Sequence, residues 1–141
     1  VENAGHTRGT SVLREQVDVV IAGGGPGGTA AALAAARNGA RTALIERYGF
    51  LGGMATAGLV NPFMTYRNDV EQIIRGIFDE ILQDLARRGG LATNGTTFDE
   101  EVLKIVLDEK LAKAGVEVWL HSLLVDVRTE AGVVREVTAG T

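Results

Sequence analysis

The chain has 141 residues, 45% of them hydrophobic and 23% charged, with a formal net charge of −4. That suits a single globular domain and gives no electrostatic case for nucleic acid as a partner. The complete lack of cysteine removes disulfides, thiolate nucleophiles and Cys-rich metal sites, and it suits a reducing, cytoplasmic setting. No apolar run approaches the ~18 residues that a membrane-spanning helix needs, so no membrane partner is expected.

Residues 1–16 are polar and mixed, and read as a loose leader with no secretory pattern. Val17–Ala22 is an apolar run dominated by β-branched residues and broken only by Asp18, which predicts a strand buried on both faces. Gly23–Gly28 reads as a turn, and Thr29–Arg37, rich in Ala and Leu, as a helix closed by Asn38-Gly39. Arg41–Glu46 is a second buried strand, so residues 17–46 form a βαβ unit with parallel strands.

Residues 48–67 are irregular, but their many apolar side chains argue for order and hence for a functional loop. The spacing of Ile73, Ile74, Ile77, Phe78, Ile81, Leu82 and Leu85 predicts a helix capped by Asn68 or Asp69 and stopped at Gly89-Gly90. A further helix is expected over Phe98–Ala114, with Thr97 and Glu100 as a capping box. Val116–Leu120 is a third parallel strand. Leu123–Thr129 and Val133–Thr138, joined at Ala131-Gly132, read as a hairpin. The fold class is therefore α/β, a Rossmann-type parallel sheet with a helical insertion and a trailing β-hairpin. Three parallel strands make a thin core for this architecture, and we expect the domain (17–141) to continue in a longer protein.

The glycines carry the chemistry. Nineteen of them is well above the usual share of about 7%. A phosphate reaches the main chain only where side chains leave it bare. Gly23, Gly25 and Gly28 fit GxGxxG: one for the tight turn, one for close approach of a diphosphate, one for helix–strand packing. Pro26 lacks an N–H and has a preset φ, which suits the first turn of a helix whose free N–H groups face an anion. The second strand stops on Glu46, about eighteen residues after Gly28, where a carboxylate can accept hydrogen bonds from ribose hydroxyls. That carboxylate would repel a 2′-phosphate, which disfavours NADP and leaves NAD or FAD.

The segment "ERYGFLGGMATAGLVNPF", followed by "GIFDEIL" and "FDEEVLKIVLDEKLAKAGVEVWLHSLLVDV", resembles FAD-dependent oxidoreductases of the glutathione-reductase type. The resemblance implies that Gly23, Gly25, Pro26, Gly27 and Gly28 surround the FAD pyrophosphate. It implies that Glu46 holds the adenosine ribose with Arg47 beside it. Gly53, Met54, Ala55 and Thr56 would run along the pyrophosphate and ribityl chain, and Leu124, with Val125 next to it, would lie by the adenine. The implied activity is redox of a small-molecule substrate by a flavin enzyme, with self-association into a homo-oligomer expected. An NAD-binding dehydrogenase domain and a non-catalytic nucleotide-binding module are the alternatives.

Other candidates have simpler readings. His121, at a strand end, and His6, in the leader, do not make a metal site. Asp79, Glu80 and Asp84 read as the wet face of a helix, and Asp99, Glu100 and Glu101 favour a helix N-terminus. Trp119 reads as core, and Tyr66 and Arg67 as surface. No catalytic acid or base is identified.

Overall fold

The computed structural model describes residues 15–68 and 70–140. The expected leader therefore lies outside the described residues except for its last two positions, as does Asp69. The elements are β1 (Val19–Ala22), α1 (Pro26–Arg37), β2 (Thr42–Ile45), a single 3-10 turn (Gly53–Ala55), α2 (Ile77–Arg87), α3 (Glu100–Lys113), β3 (Glu117–Trp119), β4 (Leu123–Glu130) and β5 (Val133–Gly140). β1, β2 and β3 form a parallel sheet in that order, with Val19 opposite Thr42 and Ala43 opposite Glu117. β4 and β5 form a separate antiparallel hairpin.

The central strand β2 is buried at all four positions, as its unbroken apolar pattern requires. β1 departs from the expectation of burial on both faces: three residues are half-buried and Ala22 is exposed. Among the described residues β1 has only one sheet neighbour, so it behaves as an edge. The core lies where α1 and α3 meet the sheet, with Ala32 and Leu33 of α1, Leu44 of β2, and Leu103, Val106, Leu107 and Leu111 of α3 all buried. Leu85 of α2 and Leu51 of the long loop complete it. Phe63 closes one end, stacked on Phe98 at 4.0 Å and edge-on to Phe78 at 5.2 Å.

Several elements differ from the sequence expectation for identifiable local reasons. α2 begins at Ile77, not near Asn68. The Asn68 carboxamide oxygen accepts from the N–H groups of Val70 and Glu71, and the N–H groups of Ile73 and Ile74 both donate to the Tyr66 carbonyl. These bonds satisfy the backbone outside a helix and leave Ile73 and Ile74 exposed. The Asp79 carboxylate then accepts from the Gly76 N–H at 2.9 Å and starts α2 there. α3 is capped by Asp99, whose Oδ1 accepts from the N–H groups of Glu101 at 2.8 Å and Val102 at 3.1 Å. Thr97 instead belongs to the preceding turn, where it bonds Asn94, so the Thr97–Glu100 box does not form.

Tyr66 is not a surface residue: its ring is buried against Phe78 and its hydroxyl donates to the Gly95 carbonyl at 2.6 Å. Trp119 is half-buried, with its indole N–H donating to Glu117, so it is not core. Glu80 and Asp84 are more than a wet face. Glu80 takes a two-pronged bond from Arg37 of α1 (2.8 and 2.7 Å) and a contact from Lys110 of α3 at 3.2 Å, and Lys110 also reaches Asp84 at 2.6 Å. One carboxylate thus ties three helices together, and Arg37 holds its pKa down at about 2.

Candidate functional site

The carboxyl ends of β1 and β2 open onto a cleft of about 520 Å³. This is the end of a parallel sheet where ligands bind, because helix N-termini converge there. β1 runs directly into Gly23, whose N–H continues the sheet by donating to the Ile45 carbonyl at 2.8 Å. Gly23 then turns with φ +104°, a backbone that side-chain-bearing residues rarely adopt. The chain enters α1 at Pro26, so Gly27 and Gly28 lie in the first turn. A Cβ on Gly28 would sit 1.8 Å from the Gly23 carbonyl oxygen, and that is why this glycine must be bare. Thr29 fixes the turn from inside: its N–H and its hydroxyl both donate to the Gly25 carbonyl at 2.9 Å.

Helix geometry leaves the N–H groups of Gly27 and Gly28 without intrahelical partners. The first turn of α1 holds no acidic residue, so the positive end of the helix is not neutralised by its own side chains. Gly25 is bare for a different reason from Gly28. A Cβ there would meet nothing nearer than the Gly53 Cα at 3.9 Å, so the protein itself leaves that space open.

Glu46 sits one residue beyond β2, only 5% exposed, and lines the cleft. Its Oε2 accepts from the Gly24 N–H at 2.6 Å and its Oε1 from the Tyr48 N–H at 2.8 Å. Each carboxylate oxygen has two acceptor positions, so one on each remains for a hydroxyl. The Glu46 backbone is held on both sides, by the Trp119 carbonyl and the Ser122 N–H, each at 2.9 Å.

The loop after β2 docks on the first glycine turn main chain to main chain. The Gly52 N–H donates to the Gly24 carbonyl at 2.8 Å, and a Cβ on Gly53 would lie 2.8 Å from the Gly25 Cα. Thr56 pins the loop by donating its hydroxyl to the Leu51 carbonyl at 2.6 Å. The bareness of Gly53 therefore has a packing cause in addition to any approach of a ligand.

Of the residues singled out from the sequence, Gly23, Gly25, Pro26, Glu46, Arg47, Gly53, Met54 and Leu124 line this one cleft. Gly27 is exposed on the first turn, Gly28 is used in packing, and Ala55 is buried behind the loop. Ala55 instead lines an apolar cavity of about 450 Å³ between α1, α2, α3 and the loop, which shares Pro26 and Met54 with the cleft. Thr56 and Val125 lie outside the cleft wall. Sequence reasoning missed Tyr48, Ser122 and Leu123, which also line it. Tyr48 follows Arg47 directly and was within reach of the same argument. Ser122 and Leu123 arrive through a tertiary return from β3 and carry no local signal.

The chain spans about 15% of the length of a curated relative, the soluble pyridine nucleotide transhydrogenase of Yersinia enterocolitica, to which it is 39% identical over 70 residues, half of this chain. Thermovibrio ammonificans THI4 superposes with a TM-score of 0.58 at 25% identity, over 88% of this chain and 47% of that one. L-proline dehydrogenase from P. horikoshii gives a TM-score of 0.65 at 12% identity, over 90% of this chain and 50% of that one, and so shares the fold. A match to the family described as FAD dependent oxidoreductase spans residues 18–141, almost everything from the first strand onward. The chain belongs to the FAD dependent oxidoreductase family, with FAD as its cofactor.

Proposed function

We propose that this chain is the part of a flavin-dependent oxidoreductase that grips the ADP half of FAD. The observation that carries the reading is the open space over Gly25, at an un-neutralised helix N-terminus, beside a carboxylate with acceptor positions to spare. The main chain of Gly23–Gly25 and the free N–H groups of Gly27 and Gly28 would receive the pyrophosphate. Glu46 would hold the ribose hydroxyls, with Arg47 and Leu124 on the adenine side and Met54 toward the flavin. Transfer of a hydride or of electrons is the chemistry FAD supplies when bound; the residues here bind it, orient it and set the charge around it.

The substrate is a small molecule, in a protein that acts in the cytoplasm as a homo-oligomer without nucleic acid or membrane as partner. The Yersinia relative is a soluble transhydrogenase by name, which supports that location. Cell fractionation and light scattering test these two statements.

The central test is Gly25→Val. The purified wild-type protein should show flavin absorption and release FAD on denaturation. The variant should lose the flavin while keeping its far-UV circular dichroism. A variant with full FAD occupancy would sink the phosphate assignment, and a wild-type protein protected by NAD without any flavin would replace the cofactor.

A further inference from the structure

The turn after Glu46 is exposed, yet it is tied down at several points. The Tyr48 N–H donates to Glu46 Oε1 at 2.8 Å, and the Tyr48 carbonyl accepts from the His121 N–H at 3.1 Å. The His121 imidazole packs against Gly49, so closely that a Cβ there would come within 2.7 Å of two ring atoms. His121 holds this place with φ +53°, a left-handed backbone that is uncommon for a non-glycine residue. The Tyr48 and Phe50 rings stack at 6.0 Å and 14°.

A cation closes each end of that stack. Lys104 Nζ lies 4.0 Å from the centre of the Phe50 ring, and the Arg47 guanidinium carbon lies 4.6 Å from that of Tyr48. Arg47 Nη2 also donates to the Tyr48 hydroxyl at 2.8 Å. Among the described residues no carboxylate pairs with Arg47. An exposed arginine is ordinarily free to sample many rotamers, and freezing one costs entropy. Here a cation–π contact and a hydrogen bond to a single neighbouring tyrosine hold a cation with no carboxylate partner on the cleft wall.

We propose that Tyr48 is a positioning residue: it holds the Arg47 guanidinium at the adenine end of the cleft, where it receives the base of FAD. The inference rests on the cofactor reading above. The adenine end follows from the order of groups along the wall: glycine main chain, then Glu46, then Arg47 and Tyr48. Leu123 and Leu124 leave from the corner where Ser122 bonds Glu46. A guanidinium plane is a good stacking surface for a purine. Phe50 and Lys104 back the tyrosine and link the cleft to α3.

The experiment measures dissociation constants of FAD and of FMN, which lacks the whole AMP half, for the flavin-depleted full-length protein. Tyr48→Leu should weaken FAD about tenfold, in line with loss of a cation–π contact and a hydrogen bond, and leave FMN unchanged. Tyr48→Phe, which keeps the ring, should stay within about threefold of wild type. Arg47→Met should reproduce the tenfold loss, and Arg47→Met/Tyr48→Leu should lose no more than Arg47→Met alone, because the tyrosine acts through the arginine. Unchanged FAD affinity in Tyr48→Leu, equal losses for FAD and FMN, or additive losses in the double variant would each overturn the assignment while leaving the cofactor reading intact. Failure of the wild-type protein to bind FAD would overturn both. Should Tyr48→Leu not fold, Tyr48→Met, another non-aromatic variant, takes its place in each comparison.

Discussion

Two glycines three residues apart should fail in opposite ways. At Gly28 an added Cβ would meet the Gly23 carbonyl oxygen at 1.8 Å, whereas real contacts of this kind stay above 3.0 Å. The obstacle is main chain, so no side chain can rotate out of the way. The first turn of α1 must shift by at least about 1.2 Å, the difference between those distances, and that disturbs the Gly23–Ile45 and Thr29–Gly25 bonds. Overpacking of this severity costs about 3 kcal/mol or more, and alanine returns at most about 1 kcal/mol through helix propensity. Gly28→Ala should therefore lose about 2.5 kcal/mol of stability, which lowers the urea midpoint by about 1.5 M at unchanged slope. Gly25→Ala meets only an ordinary contact at 3.9 Å and has extended backbone at φ −71°, so its stability loss should stay below about 1 kcal/mol. Urea titration of the flavin-free proteins by far-UV circular dichroism, followed by FAD binding, separates the two. Equal stability of Gly28→Ala and wild type, or a larger loss for Gly25→Ala than for Gly28→Ala, would refute the division into a packing glycine and a ligand glycine.

Asp99→Ala removes both hydrogen bonds at the start of α3 and should cost about 1 kcal/mol in the same urea assay, with Asp99→Ser restoring most of it. Glu80→Gln weakens the tie of α2 to α1 and α3 and, for a pair that solvent still screens, should cost about 1 kcal/mol at neutral pH. The Glu80 pKa falls from 4.5 to about 2 on folding, so its contribution is full above pH 4.5 and disappears as pH falls through about 2. The stability gap between wild type and Glu80→Gln should close over that range. Glu46→Gln puts an amide NH₂ where one of two backbone N–H groups needs an acceptor. It should cost about 2 kcal/mol of stability and weaken FAD at least about tenfold, read by flavin fluorescence titration.

Much of the fold could be read from the chain because its signals are local. The apolar run of β2, the glycine turn and Pro26 at the head of α1 each act within a few residues, and each appears where it was expected. The misreadings came from competing hydrogen bonds, some in neighbouring turns and some far along the chain. Ile73 and Ile74 keep helical spacing with Ile77, but bonds to Tyr66 and the Asn68 turn take their backbone out of the helix. Tyr66 reads as polar and exposed until Gly95, far along the chain, supplies an acceptor in the interior. At the site, Gly23, Gly25 and Glu46 could be named from spacing alone. Ser122 and Leu123 could not, since only the return of the chain from β3 brings them to the wall.

The docking of Gly52-Gly53 on Gly24-Gly25 has a consequence for anyone who would move this nucleotide grip into another scaffold. The opening strand, turn and helix do not form a self-sufficient cassette, because residues 50–58 serve as their buttress. A chimera that borrows the first glycine cluster and keeps a foreign loop behind it should assemble the helix but leave the cradle misshapen. The two segments have to be transplanted together.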